Sequence, residues 1–487
     1  MPGPAPEQLL AEATRCVREG RIADGIRAYR ELLSIRPQDA DSWYNLGYLQ
    51  RVARDFAAAL SSYAKAIEQG IARAEEVRLN RAVIFSEHFS DAPSAEAELL
   101  EAVRLNPRFV AGWLNLGNVY EDAGEAAKAR TAYERVLAIE PANGRAAARL
   151  AAIDVFERRP QQALDQLEGT LATAGIGHED YAEAAFAAGH ALDALGEYER
   201  AFGMFEQANR AARESAGGMR YDAEQHERFV DRLIETFPLT ERAPPDDRDR
   251  APIFVCGMFR SGSTLAEQIL GRHSRVTAGG ELDFVPALVA HHLQPYPESL
   301  AGASAARLAE LRGAYARSLA SRHPGAGIVT DKRPDNFLHI GLIKAIFPEV
   351  KIVHTTREPL DNILSIYFLY FHDSITYGFD LGDIAHWYGQ YRRLMKHWKA
   401  AFAEDIFDLS YDELVREPRA AVGGLLEFCG LPWEDSCLAA DRDGAAVRTA
   451  SVWQVRQPLH DRSSGRWRNY ERQLAQVRER LAGLIRD

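Results

Sequence analysis

Tryptophan, glycine, tyrosine and proline recur along residues 1–212 with a period of about 34 residues, and that period constrains the fold more than any composition could. One unit sets Trp113, Leu116, Gly117, Tyr120, Gly124, Ala129, Tyr133 and Pro141 in order, and another sets Trp43, Leu46, Gly47, Ala59, Tyr63 and Ala66 on the same frame. A later unit has Gly189, Gly196, Ala201, Phe205 and Ala208. Weaker ones close at Tyr29/Pro37, at Ala95/Leu99/Ala102/Pro107 and at Ala163/Leu167. The count is about six repeats, the first and fifth matching poorly. Each unit reads as two helices. Small residues let them approach, large ones fill the seam, and no pair buries its apolar face alone, so neighbours must stack into a solenoid.

The pattern then changes. Residues 213–240 read as helical, and ERAPPDDRDRAP over 241–252 is a charged, proline-rich junction. We therefore divide the chain into repeats over 1–212, a helical linker and junction over 213–250, and a second domain over 251–487. Strand-like runs at 252–256, 327–330, 350–355 and 405–409 alternate there with helical stretches, as in a mostly parallel sheet. Ligands of such sheets sit at the carboxyl ends of the strands.

At one such end, residues 257–264 read GMFRSGST. An apolar run precedes them and a helix-forming run succeeds them, the setting in which backbone N–H groups curl round a phosphate at a helix mouth. Gly257 and Gly262 keep the spacing of the nucleotide-triphosphatase loop, but Ser263 stands where its lysine belongs. Arg260 is the cation offered instead. This disfavours a kinase or ATPase and favours another phosphate-bearing ligand. A second end, VHTTREPLDNILSIYF over 353–368, places Arg357 at a helix mouth and Ser365 two turns in. A guanidinium fork and a hydroxyl suit a phosphate monoester.

The two segments together resemble the sulfotransferase family, over about residues 251–470, and the repeats resemble tetratricopeptide proteins. The resemblance implies an N-terminal all-α tetratricopeptide solenoid followed by an α/β P-loop-like sulfotransferase domain, of the bacterial type related to protein-tyrosine sulfotransferases. It implies that Arg260, Ser261, Gly262, Ser263 and Thr264 hold the 5′-phosphosulfate of 3′-phosphoadenosine 5′-phosphosulfate, and that Arg357 and Ser365 hold its 3′-phosphate. Phe259 departs from the proline usual in this loop. Glu281, in RVTAGGELDFVP, is similarly placed to the glutamate that serves such enzymes as base, and a carboxylate within reach of an acceptor hydroxyl can take its proton. Cytosolic small-molecule members use histidine, which keeps His291, His292 and, more weakly, His354 open. Lys332, in TDKRPDNF, resembles the lysine that supports the departing phosphate oxygen. Tyr411 is similar to the tyrosine lying against adenine, and Ser464, Gly465 and Arg466 to the segment that closes over the nucleotide. Arg333 reads instead as an ion-pair partner of Asp331 or Asp335, and Trp467 as packing or ligand contact alike.

The remaining properties bound the rest. The chain has 487 residues, 46% hydrophobic and 26% charged, as in a globular protein, and 58 basic against 70 acidic residues argue against a nucleic-acid partner. Its four cysteines are scattered without metal-ligand spacing, and no metal is expected. No run reaches the roughly 18 apolar residues of a membrane span, and a cytoplasmic location is the expectation. The expected activity is sulfuryl transfer to an acceptor hydroxyl, a peptide or protein tyrosine being one candidate, with 3′-phosphoadenosine 5′-phosphate as product. The alternatives are a scaffold whose second domain binds nucleotide without turnover and, less favoured, a P-loop kinase. The repeat groove suits a peptide or protein ligand, and the repeats permit a homodimer without requiring one.

Overall fold

The computed structural model describes residues 5–89, 91–237, 251–371, 375–439 and 463–484. Packing divides the chain into two compact units, Met1–Arg158 in one, Arg159–Arg442 and Gln454–Asp487 in the other. The last helices of the repeat period therefore belong, by packing, with the α/β part of the chain.

The first unit holds α1 (Pro6–Arg18), α2 (Ile22–Ile35), α3 (Ala40–Val52), α4 (Phe56–Glu68), α5 (Ala74–Phe89), α6 (Ala92–Leu105), α7 (Val110–Asp122), α8 (Ala126–Ile139) and α9 (Gly144–Phe156). Each packs on its neighbours in sequence, as the repeat requires. Between α3 and α4 the hydrogen of Gly47 faces the Tyr63 ring, and a Cβ there would stand 2.7 Å from Tyr63 Cδ1. Gly117 and Tyr133 make the same contact between α7 and α8, closer still. The repeated tryptophan has a polar duty as well. Trp43 Nε1 donates to Pro37 O at 2.8 Å and Trp113 Nε1 to Pro107 O at 3.0 Å, so the proline that stops one helix is tied to the next helix. The turn between paired helices needs a left-handed residue. Gly124 supplies it with φ 77, whereas Arg54, at the matching place in the α3–α4 pair, adopts φ 62 at a cost of about 1 kcal/mol.

The second unit opens with α10 (Pro160–Leu171), α11 (His178–Ala194), α12 (Tyr198–Ser215) and α13 (Ala223–Thr236). Gly189 on α11 faces Phe205 on α12 as in the repeats, the built Cβ falling 2.6 Å from its ring. The other face of Phe205 stacks on Phe368, centroids 3.7 Å apart, and Asn209 Nδ2 donates to Tyr367 O at 2.9 Å. This pair is thus mortared to the α/β part.

That part is built on five parallel strands, β1 (Ile253–Gly257), β2 (Val276–Thr277), β3 (Ile328–Lys332), β4 (Lys351–Thr356) and β5 (Ile406–Ser410), in the order β2-β3-β1-β4-β5. The four expected strands are present, each ending one or two residues later, and β2 is an edge strand too short for a sequence signal. The sheet is covered on both faces, as a parallel sheet must be. The helices that accompany it are α14 (Ser263–Gly271), α15 (Phe284–His292), α16 (Ala305–Arg322), α17 (Ile340–Ile346), α18 (Pro359–Tyr367), α19 (Leu381–Ala401), α20 (Tyr411–Arg416) and α21 (Pro418–Phe428). On one face Ile253, Val255, Val353 and Leu409 pack with α14 and α21. On the other, Phe254 meets Tyr315 of α16 and Phe347. The chain leaves β1 toward β2 and β3, then crosses to β4, so the loop after β1 lies where the strand order reverses, the place such sheets offer a ligand. Among the described residues no helix is long and apolar enough to cross a membrane.

Candidate functional site

The loop after β1 has a backbone that few residues could adopt. Gly257 has φ 152, and a Cβ there would overlap Thr355 O and Ser261 Oγ. Arg260 is left-handed at φ 67, a conformation uncommon outside glycine. Gly262 is left-handed at φ 101 and caps α14, with Tyr411 Cδ2 where a side chain would come, 3.0 Å from its built Cβ. Ser263 and Thr264 begin α14, so their N–H groups lie in the first turn, which has no intrahelical acceptors. Ser261 ties the loop to itself. It is 1% exposed, and its amide and hydroxyl both donate to Met258 O, at 3.1 and 2.6 Å, while the hydroxyl lies 2.7 Å from Thr355 Oγ1. Ser261 builds the loop.

Three elements bring the remaining donors to this loop. Arg260 Nε donates to Ser365 Oγ of α18 at 3.2 Å. Arg357, just past β4, donates from Nη1 to Arg260 O at 3.2 Å and from Nη2 to Ser463 O at 2.5 Å. Its guanidinium lies 5.0 Å over the Tyr411 ring, and its buried Nε has no partner among the described residues. Burial, and then the charge of Arg357, push Arg260 down to about 10; burial pushes Arg357 down too. Two half-buried guanidiniums, each opposed by neighbouring positive charge, are relieved by an anion beside them.

The segment at 463–467 is held against the same place by carboxylates. Ser464 Oγ donates to Asp412, and the amides of Gly465 and Trp467 donate to Asp361 at 2.5 and 2.7 Å. Arg466 turns to Asp193 of α11, Nη2 to Oδ2 at 2.8 Å.

A second cluster is assembled one strand over, on β3, where Lys332 lies in register with Val255 of β1. Lys332 Nζ donates to Glu281 Oε1 at 2.7 Å; the lysine side chain is 4% exposed and the glutamate 50%. Lys332 N donates to Gly280 O at 3.0 Å, fixing the turn that carries Glu281. Under that turn lies a residue the sequence reading missed. Glu267 of α14 is buried, and its Oε1 accepts from Gly280 N at 2.9 Å and from Thr330 Oγ1 at 2.6 Å. Burial raises its pKa, the ammonium of Lys332 opposing. The signal was available: Glu267 precedes Leu270 by one helical turn on the buried stripe of α14. Asp361, Asp412 and Asp193 were missed for another reason, since each works through a partner distant in sequence.

His291 and His292 are exposed at the end of α15. His354 is buried, with Nδ1 2.7 Å from Asp408 Oδ1 and Nε2 against the Tyr391 hydroxyl, so both ring nitrogens are engaged. Arg333 sits between Asp335 and Asp283, at 3.2 and 3.3 Å. Among the described residues no cluster of three or more His, Cys, Asp or Glu is placed to hold a metal.

Residues 252–435 match the model of a sulfotransferase family, and residues 10–74 and 110–143 match tetratricopeptide-repeat models. An uncharacterized protein of Aquifex aeolicus (strain VF5) is 34% identical over 412 residues, 79% of this chain and 52% of that protein. Protein-tyrosine sulfotransferase 1 of Danio rerio is 25% identical over 211 residues, 39% of this chain and 56% of that protein. The protein-tyrosine sulfotransferase of Drosophila melanogaster is 26% identical over 211 residues, 39% of this chain and 40% of that protein. The chain spans about half the length of the curated relatives it matches.

Proposed function

We propose that this chain, which joins tetratricopeptide repeats to a sulfotransferase-family domain, moves a sulfuryl group from 3′-phosphoadenosine 5′-phosphosulfate to an acceptor hydroxyl. The nucleotide supplies the chemistry of a phosphosulfate anhydride, whose sulfuryl group is activated for transfer. The chain's residues suit such a molecule. Arg260, the first-turn amides of Ser263 and Thr264 and the close backbone at Gly262 offer cation and dipole to a phosphosulfate, with Ser261 shaping the loop. Arg357 and Ser365 offer a fork and a hydroxyl to the 3′-phosphate, and the Nε of Arg357, unpartnered among the described residues, is a donor still to be satisfied. Tyr411 presents an aromatic ring beside the loop, and Ser464, Gly465 and Arg466 bring a hydroxyl, backbone and charge to the same place.

The observation that carries this reading is the meeting of Lys332 and Glu281 one strand from the loop, 2.7 Å apart. A carboxylate half open to solvent can accept an acceptor's hydroxyl proton. A lysine ammonium that is nearly buried can stabilise negative charge growing on a leaving oxygen, where the low dielectric makes it count most. Glu267, Gly280 and Thr330 hold the two in place from beneath. The acceptor we favour is a hydroxyl or phenol on a peptide, in keeping with the repeat unit.

The test is release of 3′-phosphoadenosine 5′-phosphate from the phosphosulfate donor in the presence of a panel of peptide, glycan and small phenolic acceptors. Acceptor-dependent release that falls in both Lys332→Ala and Glu281→Ala supports the reading. Full release in both variants overturns the roles, and the absence of release with every acceptor in the panel confines the chain to nucleotide binding.

A further inference from the structure

Asp193 is the next-to-last residue of α11, on the helix pair that continues the repeat pattern, yet its carboxylate reaches the segment at the nucleotide site. Oδ1 accepts from Arg466 Nε at 3.2 Å, Oδ2 pairs with Arg466 Nη2 at 2.8 Å, and Oδ1 also accepts from the Tyr470 hydroxyl. Arg466 is held against Phe368, its guanidinium carbon 5.2 Å from the ring centre, and the fully buried Tyr470 packs edge-on to Phe368 and Tyr198. The near half of the same segment is bound differently, through Asp361, Asp412 and Arg357. Asp193 thus fixes the far half, and with it the direction of the Arg466 side chain.

Charge explains why a carboxylate belongs there. Arg466 lies close enough to Arg260 and Arg357 for the three positive charges to oppose one another. Without a counter-charge the long, flexible arginine would turn out to solvent, where its solvation is best. Asp193 holds it in the cluster with a two-point, planar pairing that suits a carboxylate.

We propose that Asp193 is a positioning residue for the nucleotide site, orienting Arg466 and the segment 463–470 from the last helix pair of the repeat pattern. What it positions for rests on the nucleotide reading above; that it positions does not. The same contact gives the repeat-like helices a direct mechanical hold on the nucleotide site, through side chains of one compact unit.

The experiment uses the full chain with Asp193→Asn, Asp193→Glu, Arg466→Gln and the Asp193→Asn/Arg466→Gln double variant. Hydrogen exchange without nucleotide is read at the amides of Gly465 and Trp467, and 3′-phosphoadenosine 5′-phosphate binding is read by calorimetry. We expect exchange at 463–470 to quicken in Asp193→Asn while that in β1 and β4 is unchanged, and nucleotide binding to weaken about tenfold. Asp193→Glu should recover part of both, and the double variant should bind no more weakly than Arg466→Gln alone. Unchanged exchange at 463–470 overturns the proposal, as does tighter binding in Asp193→Asn or losses that simply add. If the unaltered chain binds no 3′-phosphoadenosine 5′-phosphate, the nucleotide reading fails, and exchange alone still decides whether Asp193 positions the segment.

Discussion

Lys332 Nζ and Glu281 Oε1 stand 2.7 Å apart although one side chain is 4% exposed and the other 50%. The pair is therefore asymmetric: the ammonium depends on the carboxylate for its place in the interior, while the carboxylate has water as an alternative. Replacing each residue in turn should separate stability from chemistry.

Glu281→Ala leaves a nearly buried ammonium unpaired and should lower unfolding stability by about 1–3 kcal/mol. Lys332→Ala leaves a solvated carboxylate and should cost less. In turnover both should be severe, about 10²–10³ in kcat for the lysine and about 10²–10⁴ for the base. Denaturant unfolding beside initial rates checks both. Equal destabilisation with unequal loss of activity would contradict the asymmetry.

Arg357 touches the loop backbone, the 463 carbonyl and the Tyr411 ring at once. Arg357→Ala should weaken 3′-phosphoadenosine 5′-phosphate binding by about 1.5–3 kcal/mol, the range for hydrogen bonds to a charged group. Arg357→Lys keeps the charge without the fork and should recover only part of it. Calorimetry on the two variants distinguishes a need for geometry from a need for charge.

Three histidines shielded from water make the fold sensitive to acid. Burial above all lowers His190, His226 and His339 from the usual 6.5 to about 4. The unfolded chain therefore binds more protons than the folded one between those values, and stability is lost as pH falls from 6.5 toward 4. His226 stacks on Trp387 with centroids 3.8 Å apart, so His226→Phe keeps the stack and removes the proton. That variant should lose less stability over this window than the unaltered chain, by on the order of 1–3 kcal/mol. A parallel pH dependence in the two would show that His226 titrates alike in the folded and unfolded states.

In the first unit, Gly117 faces the Tyr133 ring with no room for a Cβ. Tyr133 is also anchored, its hydroxyl donating to the buried Glu121 at 2.8 Å, and cannot swing away freely. Gly117→Ala should destabilise by about 1–3 kcal/mol through overpacking. The same change at Gly169, where a Cβ meets nothing within 4 Å, should be neutral or slightly stabilising, because alanine favours a helix. Thermal melting of the two variants compares them.

The sequence exposed what repeats and what is local. The Trp43 and Trp113 frames revealed the helix pairs, because a fixed period leaves one packing solution. The loop at 257–264 was readable because glycine spacing is a backbone requirement, and Arg357 and Ser365 because they lie on one strand–helix segment. The hold of the Ser261 hydroxyl on the loop was not readable, because it depends on Met258 and Thr355 folding against it. Asp361, Asp412 and Asp193 were silent for the same reason. Each carboxylate acts on a partner brought near by the tertiary fold, up to 277 positions away for Asp193 and Tyr470. The domain limits show the same thing: the period follows the repeated pattern, while packing follows Phe205 onto Phe368.

The measurement closest to the central claim is calorimetric titration of the purified chain with 3′-phosphoadenosine 5′-phosphate, with and without a chelator, against ATP and Mg²⁺ as control. The account predicts binding that persists without metal and is weakened in Arg357→Ala. Binding of ATP with Mg²⁺ alone, or of neither nucleotide, would contradict it.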